Sequence, residues 1–140
     1  MAASTKSGFT AEERAAMKEH AKEMKLAQSK EQDEKDQLKR VAALPDGERE
    51  IAEGVHAVVK KHAPELASKT WYGMPGYARD GKIIFFVQPA TKFKTRYTTF
   101  GFNDISNLDD GDMWPTAFGI LAWTPAVEKK VVELVKKAVS

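Results

Sequence analysis

The stretch from Lys69 to Phe102 limits this chain more than any other. Lys82-Ile-Ile-Phe-Phe-Val-Gln88 is apolar on both phases of a strand, so it belongs in the middle of a sheet covered on both sides. Asp80-Gly81 before it is a hairpin turn of the primed type, which needs positive φ at both positions. Lys69–Tyr72 reads as a short earlier strand ending at Gly73-Met-Pro-Gly76. There a proline and two glycines favour an irregular turn, corner or bulge, and Tyr77–Arg79 resumes the strand. Pro89-Ala-Thr91 turns the chain. Phe93–Phe102 then alternates as a third strand, with Phe93, Thr95, Tyr97 and Thr99 on one face and Lys94, Arg96, Thr98, Phe100 and Phe102 on the other.

Such a sheet needs helices to bury it, and the flanks provide them. Asp46 reads as an N-cap, and Ile51, Val55, Val58 and Val59 follow at i, i+4, i+7 and i+8 until Pro64 stops the helix near His62. At the other end Thr124-Pro125 is an N-cap with proline at the first helical position. The helix to Val139 lines up Val127, Val131, Leu134, Val135 and Ala138. Between these, Asn103–Pro115 is an acidic connector with a short helical turn at most near Ile105–Leu108. Thr116–Ala122 is one more strand, with Gly119 as its bulge. The fold class is α+β, a central antiparallel sheet flanked by helices.

Residues 1–9 read as a disordered tail. Thr10-Ala-Glu-Glu13 is a capping box, and the helix after it has a thin apolar stripe of Met17, Ala21 and Met24 beside Arg14, Lys18, Lys22 and Lys25. Ser29-Lys-Glu-Gln32 is a second capping box. A second helix over Lys30–Ala43 is therefore expected, one long helix being the alternative. Residues 10–43 form a charged helical extension of a domain over 44–140.

A net charge of +2, from 22 basic and 20 acidic residues, argues against a nucleic-acid or membrane partner unless charges cluster locally. The absence of cysteine excludes disulfides, thiol catalysis and thiolate metal sites. No apolar run reaches the roughly 18 residues of a membrane helix, and no signal-peptide pattern opens the chain, so the expected compartment is the cytoplasm. His56 and His62 lie about 240° apart on a helix and do not converge. No nucleophile motif or phosphate-binding loop is present. Lys92-Phe-Lys-Thr-Arg-Tyr97 has the residue types that contact phosphates and stack bases, but also those that protect an edge strand, which is the preferred reading. Asp104, Asp109, Asp110 and Asp112 surround Gly111. Such aspartates hold a hard cation or simply make turns. Trp71, Tyr72, Met74 and Tyr77 pack a core or line a ligand pocket under the Gly-Met-Pro-Gly turn.

Ala63-Pro-Glu-Leu66, Lys69-Thr-Trp-Tyr-Gly-Met-Pro-Gly-Tyr77 and Asp80-Gly-Lys82 with its aromatic strand resemble the YdhG-like family of small domains. Asn107-Leu-Asp-Asp-Gly111 and Met113-Trp-Pro-Thr116 look like a subgroup with this N-terminal extension. The resemblance covers about residues 44–140. It implies a secretion-chaperone-like fold in the order helix, three strands, helix, two strands, helix, and places the middle helix where Asn103–Pro115 reads as a loop. Some members are described as frataxin-like iron chaperones. The resemblance therefore implies a non-enzymatic cytoplasmic domain that binds iron, a small ligand or a protein partner. No iron ligand follows from the family's motif. Asp104, Asp109, Asp110 and Asp112 are candidates on chemistry alone, since iron accepts carboxylate oxygen. Trp71, Tyr72, Met74 and Tyr77 are the candidate small-ligand or enzymatic pocket. The N-terminal helices and a sheet edge are the surface a protein partner would use.

Overall fold

A computed structural model of the chain describes residues 9–140; of the expected tail at 1–9, residues 1–8 lie outside them. The chain divides into two compact units, one ending at Gln32 and one spanning Asp33–Ser140. Helix α1 (Ala11–Ala42) runs through both. The remaining elements are α2 (Asp46–His62), β1 (Ala67–Trp71), β2 (Met74–Arg79), β3 (Lys82–Gln88), a one-turn α3 (Ala90–Phe93), β4 (Thr98–Phe102), β5 (Ala117–Ile120) and α4 (Pro125–Ala138).

The Thr10 capping box forms as expected: Glu13 N–H donates to Thr10 Oγ1 at 3.1 Å, and Thr10 N–H to Glu13 Oε1 at 3.4 Å. The second one does not interrupt anything. Ser29 sits inside a single 32-residue helix, because Lys30 to Leu38 are mostly good helix formers and continue the backbone ladder. Residues 33–42 belong to the compact second unit, where Gln37 and Val41 are buried.

The sheet is antiparallel with strand order β1-β2-β3-β4-β5, and β3 is central as expected. Two corrections come from turns. Tyr72 and Gly73 have φ of 50° and 75°, so the first hairpin closes there, in the same primed conformation as Asp80 and Gly81 at 52° and 78°. Met74, Pro75 and Gly76 are therefore strand residues, paired with Trp71, Thr70 and Lys69, and not part of an irregular turn. The expected strand from Phe93 starts only at Thr98. Ala90–Phe93 makes a helical turn closed by Lys94 at φ 56°, held to α2 where Glu48 accepts from Thr91 N–H at 2.9 Å and Thr91 Oγ1 at 2.6 Å. A third correction concerns Gly119: β4 and β5 pair without a register shift, so it is not a bulge. The observed bulge is in β3, where Ile84 and Phe85 together oppose Tyr77.

That bulge turns both Ile84 and Phe85 inward, to join Tyr77, Val87, Phe100, Phe102 and Ile120 in the core. Ile51, Ala52, Val55, Val58 and Val59 of α2, Val131, Val135 and Ala138 of α4, and Val41 of α1 pack on this one face. Thr124 caps α4, accepting from Val127 N–H at 3.2 Å with proline at the first position, as read from the sequence. Asp46 is the first helical residue of α2 and not its cap, pairing instead with Arg49 at 3.0 Å. The connector 103–116 is a loop. Asn107 N–H donates to the Ala138 carbonyl at 3.0 Å, and Ser106 Oγ to the Ile84 carbonyl at 2.6 Å. The helix that the resemblance places over Asn103–Pro115 is therefore not found there; the helical turn between strands is Ala90–Phe93, ahead of β4.

Candidate functional site

Strand alternation sends Tyr77, Phe100, Phe102 and Ile120 to the core, so their neighbours Gly76, Gly101 and Gly119 point to the opposite face. None of the long helices' core residues lies there. Two of these glycines lie under aromatic rings, Gly101 under Phe86 and Gly119 under Tyr97. A Cβ on Gly101 would come 2.4 Å from the Phe86 ring and one on Gly119 2.9 Å from the Tyr97 ring, whereas one on Gly76 would meet Trp71 Cβ at 3.0 Å and Ile83 Cδ1 at 3.2 Å. Gly101 and Gly119 let the Phe86 and Tyr97 rings lie close against the backbone. Trp71 stacks edge-on to Tyr72 at 4.9 Å and lies 5.1 Å from Phe86, which extends the aromatic surface across β1 to β3.

Two more features single this face out. Tyr72 holds a left-handed backbone with its side chain 78% exposed, although a bulky residue in that conformation is strained by about 1–2 kcal/mol. Cations border the rings. The Arg96 guanidinium sits 5.3 Å from the Tyr97 ring centre, and Lys92 Nζ lies 5.8 Å from the Phe93 ring and 3.4 Å from the Tyr72 carbonyl oxygen. No residue of β1 to β5, on either face, is an aspartate or glutamate.

The four residues expected to line one pocket therefore divide. Trp71, Tyr72 and Met74 belong to the outer face, Met74 being buried directly opposite Trp71. Tyr77 is fully buried on the core face. Its hydroxyl donates to Gln37 Oε1 at 3.3 Å and lies 3.0 Å from His56 Nδ1; His56 Nε2 is 2.7 Å from Glu34 Oε2, and Lys60 Nζ donates to Glu34 Oε1 at 3.2 Å. Burial, reinforced by the Glu34 charge, pushes the Tyr77 hydroxyl well above its ordinary value. Partial burial raises the Glu34 carboxyl, but hydrogen bonds from His56 and Lys60 outweigh it and leave the group below its ordinary value. Gln37 also donates to the Lys69 and Gly76 carbonyls at 2.9 and 3.1 Å. This chain of side chains fastens residues 33–42 to the sheet. It has no open side at Tyr77, so it is a structural network.

Asp104, Asp109, Asp110 and Asp112 are all exposed. Asp104 and Asp109 line a cavity of about 250 Å³ with Ser106, Leu108 and Trp114, while Asp110 and Asp112 do not. Among the described residues no three His, Asp or Glu side chains gather in a way that could hold a metal ion. In the sequence Gly119 reads as a bulge, Phe86 as part of the central strand, and Arg96 and Tyr97 as an edge strand, while Gly101 carries no reading of its own. The signal was present: a glycine flanked by core residues in Phe100-Gly-Phe102 and in Phe118-Gly-Ile120 marks an outward position that something covers.

No helix among the described residues is long and apolar enough to cross a membrane. No protein-family model, curated protein or solved structure matches the chain.

Proposed function

We propose that this chain is a non-enzymatic binding domain of the YdhG-like kind, and that its outer sheet face holds flat, anionic ligands, of which nucleotides, free or within a single strand, are the simplest. The observation that carries the reading is the combination on one face: rings of Trp71, Tyr72, Phe86 and Tyr97, a glycine beneath each of Phe86 and Tyr97, and Lys92 and Arg96 at the border. A base stacks on any exposed ring, for about 1–3 kcal/mol each, and a nearby cation attracts its phosphate. Five strands span about 19 Å at the usual spacing, room for several stacked bases. The small net charge, which argued against such a partner, is a sum over the whole chain. A ligand on the sheet meets only the local charge.

Fluorescence polarisation of a labelled ten-nucleotide thymidine strand, at low salt, tests this. Saturable binding is expected, weakened at least tenfold in Tyr97→Ala and in Arg96→Ala. AMP is expected to compete, and heparin, which has charge without bases, to compete poorly. No binding at millimolar protein, or equal competition by heparin, overturns the proposal. The iron reading gains no support from the geometry of the four aspartates.

A further inference from the structure

A second binding feature lies at the edge of the sheet, away from the outer face. β1 ends the strand order, so one side of its backbone has no strand partner. The last third of α1 runs beside it and leaves a cleft of about 580 Å³ lined by Asp33, Asp36, Lys39, Arg40, Lys69 and Thr70. That volume is within the usual range for a ligand site. The two walls are fixed relative to each other, because Gln37 bonds the Lys69 carbonyl and Lys69 Nζ pairs with Asp33 at 3.2 Å.

Three properties define what fits. The free strand edge selects an extended backbone. Lys39 and Arg40 have no ion-pair partner among the described residues and project where the cleft follows the C-terminal end of α1. From Asp33 to Arg40 the helix rises about 10.5 Å, the length of about three extended residues.

We infer that an extended peptide of about three residues adds to the free edge of β1 in this cleft, and that a carboxylate on it, terminal or side-chain, is held by Lys39 and Arg40. The peptide's backbone completes the ladder on β1. This site does not depend on the outer face.

The test uses the full ¹⁵N-labelled chain and four probes: acetyl-Val-Thr-Val with a free carboxylate, its C-terminal amide, the amide with aspartate in place of the last valine, and the free acid N-methylated at alternate amides. Amide shifts are expected at Ala67–Trp71 and along residues 33–43 with both carboxylate-bearing probes. The neutral amide is expected to bind at least tenfold more weakly, and the N-methylated peptide not at all, since it cannot pair with a strand. Lys39→Ala/Arg40→Ala is expected to weaken the two acidic probes at least tenfold while the free protein's spectrum stays otherwise unchanged. If only the free acid or only the aspartate probe binds, the source of the carboxylate is decided and the inference stands. No shifts at millimolar peptide, equal binding of the N-methylated probe, or shifts confined to other strands overturn it.

Discussion

Tyr72 separates a structural ring from a functional one within a single substitution. Its backbone sits at φ 50° and its ring is 78% exposed, touching Trp71 edge-on at 4.9 Å. Replacement by asparagine, which tolerates the left-handed region, relieves about 1–2 kcal/mol of backbone strain. The lost ring contact is worth about 0.5–1.5 kcal/mol when well packed, and the exposure puts it at the low end. Tyr72→Asn should therefore fold as stably as the parent or up to about 1 kcal/mol more stably. An aromatic anchored in a core would instead lose about 3–5 kcal/mol. Urea denaturation with an unchanged slope measures this directly. Binding of the labelled strand should weaken about tenfold, the loss of one stacked base at about 1.4 kcal/mol. A stability loss above about 2 kcal/mol would show that the ring is structural, and unchanged binding would remove Tyr72 from the site.

Three further outcomes follow from the same structure. Gln37→Leu removes three hydrogen bonds from a residue 1% exposed, and at about 1 kcal/mol each should lower stability by about 3 kcal/mol; hydrogen exchange should show residues 33–42 losing protection most. Because the folded Glu34 carboxyl lies below its ordinary value of 4.5, the stability it contributes is present above that pH and is lost as pH falls through the folded value. Urea midpoints between pH 6 and pH 3 should accordingly fall more steeply in the parent than in Glu34→Gln. Gly54→Ala adds helix propensity worth about 1 kcal/mol, but its Cβ would come 2.2 Å from the Trp123 ring, an overlap of the kind that costs about 1–3 kcal/mol; thermal melts should show net destabilisation and a shifted Trp123 signal.

Much of the fold was legible because local chemistry and tertiary packing agree. The Val-rich stripe of α2, the Thr124-Pro125 start of α4, the Asp80-Gly81 turn and the two-sided apolar β3 all announce themselves by spacing. The misreadings have separate causes. Tyr72-Gly73 was not recognised as a turn because tyrosine is a poor left-handed residue, and here the sheet and not the residue sets the conformation. Phe93–Phe102 alternates convincingly, yet its first half is pinned to α2 through Glu48 and Thr91, a contact no local pattern contains. The candidate site failed for a similar reason. Trp71 and Tyr77 are near in sequence but lie on opposite faces of the sheet, whereas Trp71, Phe86 and Tyr97 come from separate segments.

The glycine-ring pairs have an ordinary explanation, since aromatic residues commonly cover strand glycines to restore packing. Burial weighs the two accounts. A ring present only to repair a glycine does most for stability when it is itself covered, as Trp123 partly is over Gly54, where it packs against the core cluster. Trp71 and Phe86 remain only half-buried, Tyr97 is 38% exposed, and no core residue of the long helices packs over them. Contact with Arg96 at 5.3 Å is also wasted as packing, because an exposed cation–π pair contributes only about 0.5–1 kcal/mol, but it is well placed to hold a phosphate beside a stacked base. The two accounts diverge in Gly101→Ala. A purely structural ring would lift away with a small loss of stability and no other effect. A binding ring, forced off the backbone by a Cβ that would lie 2.4 Å from it, should lose ligand affinity in proportion to the change in the Phe86 ring signals.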